Sequence, residues 1–234
     1  MNSALPQCWA GVKERNGGVN LYIVRHGEST WNRENKIQGN SNPPLSALGR
    51  LQARLLARRF RRVKVDTIYS SPFLRATQTA EVIAAVLKKT VIKKGGLKEV
   101  SLGDWEGMTP DEIDAAYANR YQRWLRLGPT KVRIPGAESI PQFRKRVTRV
   151  FRTIIRENPR KDIVVVTHGG VIAALLSHLL KADFDRLILN LHLPNTGVTL
   201  VSFSKKKGCL IHIADTFHLS LARLKGIWPA EKIE

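Results

Sequence analysis

Apolar positions along this chain switch between a compact run and a helical spacing. Val19-Asn20-Leu21-Tyr22-Ile23-Val24 is an apolar run of strand length. Asp162–Thr167, with Ile163, Val164, Val165 and Val166, reads as a strand buried on both faces. From about Ser46 to Phe60 the positions Leu48, Leu51, Leu55 and Leu56 recur at helical spacing. Ala76, Ala80, Ile83 and Leu87 do the same across Phe73–Lys88. Val63–Ser70 is predicted as a strand between these helices, and Thr90–Lys93 as a short one after them.

Capping signals mark the later helices. Thr109-Pro110-Asp111-Glu112 offers an N-cap, a first-position proline and a capping-box glutamate, predicting a helix to about Leu125. Ser139-Ile140-Pro141-Gln142 starts another, ending before Asn158-Pro159. His168-Gly169-Gly170 leads into the apolar helix Val171–Leu180. Val198–Phe203 and Cys209–Ile213 read as a hairpin across Ser204–Gly208. This alternation predicts an α/β fold, a three-layer α/β/α sandwich with a mostly parallel central sheet. The expected organisation is one domain over residues 19–219, with 103–135 as a cap insertion. Residues 1–18 and 220–234 read as N- and C-terminal extensions, and no internal repeat is visible.

Composition narrows the class. A chain of 234 residues buries one substantial core. Two cysteines, Cys8 and Cys209, make no disulfide framework, and no CxxC pair suggests a metal. No apolar stretch has the length of a signal peptide core or a membrane span, so no membrane partner and a cytoplasmic location are expected. The formal charge of +20 is unusual. A basic face would attract anionic substrates, nucleic acid or acidic lipid. A solvated surface is the plainer reading, because no aromatic RNA-binding motif or zinc finger accompanies the charge. Nucleic acid is therefore not the expected partner.

The chemistry sits where strands end. Ile23-Val24-Arg25-His26-Gly27, Ile68-Tyr69-Ser70-Ser71-Pro72-Phe73-Leu74-Arg75 and Val166-Thr167-His168-Gly169-Gly170 each pass from an apolar strand into cationic or polar residues. Parallel strands would bring those ends to one edge, where open α/β sheets bind ligands. Arg25, His26, Arg75 and His168 would then converge on one small anion. Helix N-termini near Gly27 and Gly169 would add backbone N–H groups. Two histidines suit more than binding, since a neutral imidazole is a nucleophile. Arg25 and Arg75 should lower the pKa of His26 and keep its lone pair free. A leaving alkoxide needs a proton, and Glu99 is the candidate donor, with Glu28, Glu106 and Glu138 as rivals.

Arg-His-Gly-Glu-Ser-x-Trp-Asn from Arg25, Ser-Ser-Pro-x-x-Arg-Ala-x-Gln-Thr-Ala from Ser70, Leu-x-Glu before Gly-x-Trp-Glu-Gly, and Thr-His-Gly-Gly from Thr167 together resemble the histidine phosphatase superfamily, also called phosphoglycerate mutase-like. The resemblance covers about residues 19–219. It implies a phosphoglycerate mutase-like fold and His26 as the phosphohistidine nucleophile. It implies Arg25, Arg75 and His168 in the phosphate pocket and Glu99 as the acid that later activates water. Asn32 matches a phosphate contact, and Gln38-Gly39 a substrate-loop position. No metal and no cofactor are implied, and a homodimer is left open.

The chain departs from the family pattern at Asn42, where an aspartate is expected. The stretch from Glu99 to His168 is shorter than in the glycolytic mutases, and the acid phosphatase and phytase signatures are absent. Ile134–Ser139 is similar to phosphatase members, including alpha-ribazole phosphatase and broad-specificity enzymes. The resulting expectation is a metal-independent phosphatase acting on a small phosphate monoester. Phosphoglycerate mutase-type transfer is the alternative, and a basic anion- or nucleic-acid-binding module the third reading. Trp31, Trp105 and Trp124 are read as pocket wall or packing. His178, His192 and His212 are read as structural or surface groups, and His218 is given no role.

Overall fold

A computed structural model describes residues 18–204 and 207–224. The proposed terminal extensions up to residue 17 and beyond 224 lie outside the described residues, as do Cys8 and two of the three lysines of Lys205–Lys207.

Among the described residues six strands form one sheet in the order β3-β2-β4-β1-β5-β6. They are β1 (Val19–Arg25), β2 (Thr67–Ser70), β3 (Val91–Lys93), β4 (Asp162–Thr167), β5 (Val198–Ser204) and β6 (Lys207–Asp215). The first four run parallel, β5 is antiparallel to β1, and β6 pairs antiparallel to β5. Among the described residues nine α-helices surround them: α1 (Thr30–Arg33), α2 (Ala47–Phe60), α3 (Leu74–Leu87), α4 (Pro110–Ala116), α5 (Arg120–Leu127), α6 (Ile140–Glu157), α7 (Gly169–Leu180), α8 (Phe184–Asn190) and α9 (Phe217–Leu224).

Strand pleating divides the core into two layers. Tyr22 and Val24 of β1 and Val164 and Val166 of β4 point toward Leu56, Phe60, Ala80 and Ile83 of α2 and α3. Leu21 and Ile23, with Ile163 and Val165, point the other way, toward Phe143, Phe151, Ile172 and Leu176 of α6 and α7. β1 and β4 are therefore covered on both faces, as their unbroken apolar runs predict. The predicted three-layer α/β/α sandwich with a mostly parallel sheet is the observed fold.

Three details differ from expectation. The predicted strand from Val63 begins only at Thr67. Before it, the N–H groups of Arg62 and Val63 close a turn onto Arg59 and Phe60, and pairing starts where Asp66 and Asp162 bond each other. The predicted helix to Leu125 is two helices. Ala118 and Asn119 adopt left-handed φ of 50° and 57°. Asp114 of α4 then accepts from the N–H groups of Tyr121 and Gln122, capping α5 from a distance. Helices α8 and α9 were not anticipated at all. Within residues 103–135, Trp105 and Ile113, joined by Ile134, form a small cluster apart from the main layers.

Candidate active site

Register brings the chemistry together. Arg25 of β1 lies opposite Thr167 of β4, and Ser70 of β2 opposite Val166. The next residues, His26, His168 and Ser71, therefore emerge side by side at the carboxyl edge of the sheet. His26 N–H donates to the Thr167 carbonyl at 2.9 Å, and Ser71 N–H to that of Val166 at 2.9 Å. The two imidazoles meet with centroids 5.2 Å apart.

His26 is 3 % exposed and His168 fully buried. Nδ1 of His26 donates to the Gly27 carbonyl at 2.7 Å. A carbonyl cannot donate, so this contact assigns the proton to Nδ1 and the lone pair to Nε2. Burial first, then the Arg75 and Arg25 cations, hold the His26 pKa well below 6.5. The expected depression is present, with burial its largest cause. His168 is held well below 6.5 by the same burial and by Arg75, and its Nε2 contacts the Ser71 hydroxyl at 2.8 Å.

Two guanidinium groups flank the pair. Arg75, only 1 % exposed, donates to the carbonyls of Ser41 at 2.6 Å and Gly39 at 2.9 Å. Burial lowers its pKa to about 10, an effect opposed by Glu99, so it stays charged at neutral pH. Arg25 donates to the Leu193 carbonyl. Among the described residues the buried Nε atoms of Arg25 and Arg75 and Nδ1 of His168 have no hydrogen-bond partner. All three belong to residues gathered at one edge of the sheet.

Glu99 reaches the same place from the opposite wall. Its Oε2 accepts from the Gly170 N–H at 3.0 Å, and Oε1 from Val100 N–H at 3.0 Å. A Cβ at position 170 would come within 2.4 Å of Oε1, so glycine lets the carboxylate approach the start of α7. The rival glutamates are engaged elsewhere. Glu28 accepts from the Ser46 hydroxyl, and Glu138 pairs with Arg146 at 2.6 Å.

Glu106 is a residue that sequence reasoning raised only as a rival acid. It accepts from Asn40 N–H, Ser41 hydroxyl, Ser101 hydroxyl and Leu102 N–H, tying the 39–41 loop to the 101–102 segment. Gly39, at φ +46°, packs so tightly on it that a Cβ would lie 2.2 Å from Oε1. Asn32 spends its side-chain oxygen and backbone N–H in a capping box with Ser29, and Gln38 accepts from the Ser29 hydroxyl. Both line the cavity with Gly39 and Gly169. Ser71, beside His168, was also missed, although it stands in the quoted Ser-Ser-Pro segment.

The cavity measures about 450 Å³. Its polar end holds Arg25, His26, Arg75 and Glu99. Trp31, Tyr121, Trp124 and Phe184 also line the cavity, so Trp31 and Trp124 belong to the pocket wall while Trp105 is packing at 1 % exposure. His192, read as structural or surface, also lines it. His218 is buried against the Thr196 hydroxyl at 3.0 Å. Among the described residues, no helix is long and apolar enough to cross a membrane.

Comparison with known proteins agrees with this geometry. The model of the histidine phosphatase superfamily (branch 1) matches residues 21–216. A putative phosphoserine phosphatase 2 of Hydrogenobacter thermophilus is 35% identical over 198 residues, covering 85% of this chain and 96% of the relative. The structure of Bacillus stearothermophilus YhfR superposes with a TM-score of 0.81 at 28% identity, over 86% of this chain and 99% of that one. A mutant phosphoserine phosphatase from Entamoeba histolytica, in complex with phosphoserine, gives a TM-score of 0.76 at 31% identity, over 86% and 99%. With the sheet, the paired histidines and the sequence match in agreement, this chain is an enzyme of the histidine phosphatase superfamily, branch 1.

Proposed function

We propose that this enzyme hydrolyses a small phosphate monoester in two steps through a phosphohistidine on Nε2 of His26. The observation that carries the reading is a buried, neutral His26 whose Nδ1 proton is tied to Gly27 while two guanidinium groups flank it. Such a ring offers a lone pair rather than a charge.

In the first step Nε2 attacks phosphorus and the P–O ester bond breaks. Its electron pair leaves with the alkoxide, which takes a proton from protonated Glu99. Arg25, Arg75, His168 and the backbone N–H of Gly169 hold the phosphoryl oxygens. Phosphate oxygens would supply the acceptors that Arg25 Nε and His168 Nδ1 lack within the protein. Asn32 and Gln38 contribute amide contacts from the loop side. In the second step ionised Glu99 takes a proton from water, which attacks the phosphohistidine. Inorganic phosphate leaves, and His26 and protonated Glu99 are restored. No step requires a metal.

Phosphoserine is the first ester to try, because two similar proteins carry it in their names. The test uses phosphate-labelled phosphoserine with EDTA present, quenched in alkali. Wild type is expected to carry alkali-stable, acid-labile label and to release phosphate. His26→Ala should lose both, with turnover down by at least about 10⁴-fold. Undiminished turnover in that variant overturns the mechanism.

A further inference from the structure

The outer face of α6 carries charge that the catalytic pocket does not use. Lys145, Arg149, Arg152 and Arg156 are all exposed. Spaced four, three and four residues apart, they fall within about 60° of one helix face and span roughly 16 Å along the axis. Among the described residues none of the four shares an ion pair. The neighbouring cations differ, since Arg146 is held by Glu138 and Arg144 bonds the Ser177 hydroxyl.

This stripe lines a groove of about 700 Å³, which His178 of α7 also lines. Among the described residues no acidic side chain lines it. At its mouth Thr130 occupies the Asp185 carboxylate with its N–H and hydroxyl. Four unneutralised cations in a row are costly for a folded chain already at +20.

We propose that this groove is a binding site for the phosphodiester backbone of single-stranded nucleic acid. A row of cations at near-regular spacing along a concave track matches a linear polyanion. A lipid surface instead presents a flat sheet of charge and rewards exposed apolar side chains. None of the large exposed apolar residues lies on α6, and Thr148 and Thr153 line the groove on either flank of the cations. Among the described residues no Phe, Tyr or Trp lines the groove and His178 is its one aromatic ring, so bases gain no extended stacking platform and binding is independent of sequence.

The test uses the full chain and a fluorescein-labelled oligothymidylate of about 15 nucleotides, longer than the four-phosphate stretch the stripe contacts. Anisotropy is followed against salt. Four neutralised phosphates give a slope of log K on log salt of about −3. Replacing three cations together, Arg149→Gln, Arg152→Gln and Arg156→Gln, should reduce the slope to about −0.7 and weaken binding at least about tenfold at low salt. Hydrolysis of a small ester should stay unchanged in that variant, which also reports that it folds. Arg149→Lys, Arg152→Lys and Arg156→Lys together keep the charge and should keep the slope. No binding by wild type overturns the proposal. So does an unchanged slope in the glutamine variant, which would place binding elsewhere on the basic surface. Capture by phosphatidylglycerol vesicles through these arginines, without oligonucleotide binding, overturns it in favour of lipid.

Discussion

The carbonyl oxygen of Gly27 lies 2.7 Å from Nδ1 of His26, one residue earlier in the chain. That contact fixes which ring nitrogen is available, and burial with Arg75 and Arg25 fixes its charge. A pKa held well below 6.5 means a neutral ring at and above that pH. Nitrogen NMR of labelled histidine rings is expected to show His26 as the neutral Nδ1–H form from about pH 8 to about pH 6. A ring that protonates near pH 6.5 would remove the basis for nucleophilic attack.

Glu99 sits at the head of α7 with Gly170 N–H on Oε2 at 3.0 Å. Glu99→Gln preserves size and can keep that hydrogen bond while removing the acid. Hydrolysis of an alkyl phosphate such as phosphoserine should fall by about 10²- to 10⁴-fold. Release of p-nitrophenolate, which needs little protonation, should fall far less in the first step. Measuring pre-steady-state phenolate release beside phosphoserine turnover separates the two. Equal losses on both would leave Glu99 a positioning group rather than the proton donor.

Arg75 spends two N–H groups on the carbonyls of Ser41 and Gly39. A lysine keeps one charge but cannot bridge both carbonyls and a phosphate from a single nitrogen. Each charged hydrogen bond is worth about 1.5–3 kcal/mol. Arg75→Lys should therefore lower kcat/KM on any small ester by at least about tenfold, from the low end of that range. Wild-type kinetics in this variant would count against Arg75 as a phosphate ligand.

Much of this arrangement was legible in the sequence because it depends on strand ends. Apolar runs of the right length put Arg25 at the end of β1 and His26 and His168 just past β1 and β4, and parallel pairing did the rest. Helix starts were legible where side chains cap them, as at Ser46, Thr109 and Ser139. The break at Ala118 and Asn119 was not, because Asp114 supplies the stabilising contact from the preceding helix, outside any local capping pattern. Glu106 was misjudged for a related reason. Its four donors come from two segments about 60 residues apart, and no spacing rule connects them. Glu106→Ala should accordingly raise KM and lower thermal stability while leaving kcat within about tenfold. Loss of kcat alone, with KM and melting temperature unchanged, would contradict a loop-holding role.

His218 offers a test of stability apart from catalysis. It is 4 % exposed, and its Nε2 meets the Thr196 hydroxyl at 3.0 Å. Thr196 in turn donates its N–H to the Arg25 carbonyl at 3.0 Å. Burial above all, then Arg59, lowers the His218 pKa to about 3, with Asp215 opposing. The unfolded chain therefore takes up a proton near pH 6.5 that the folded chain refuses until about pH 3. Stability from this group is present above pH 6.5 and is lost as pH falls from there toward about 3. The loss approaches about 1.4 kcal/mol per pH unit within that window. His218→Gln retains a side chain able to meet Thr196 but does not titrate. Urea unfolding at a series of pH values should show the variant losing stability less steeply on the acid side. Parallel curves for the two proteins would show that His218 does not stay neutral in the folded chain.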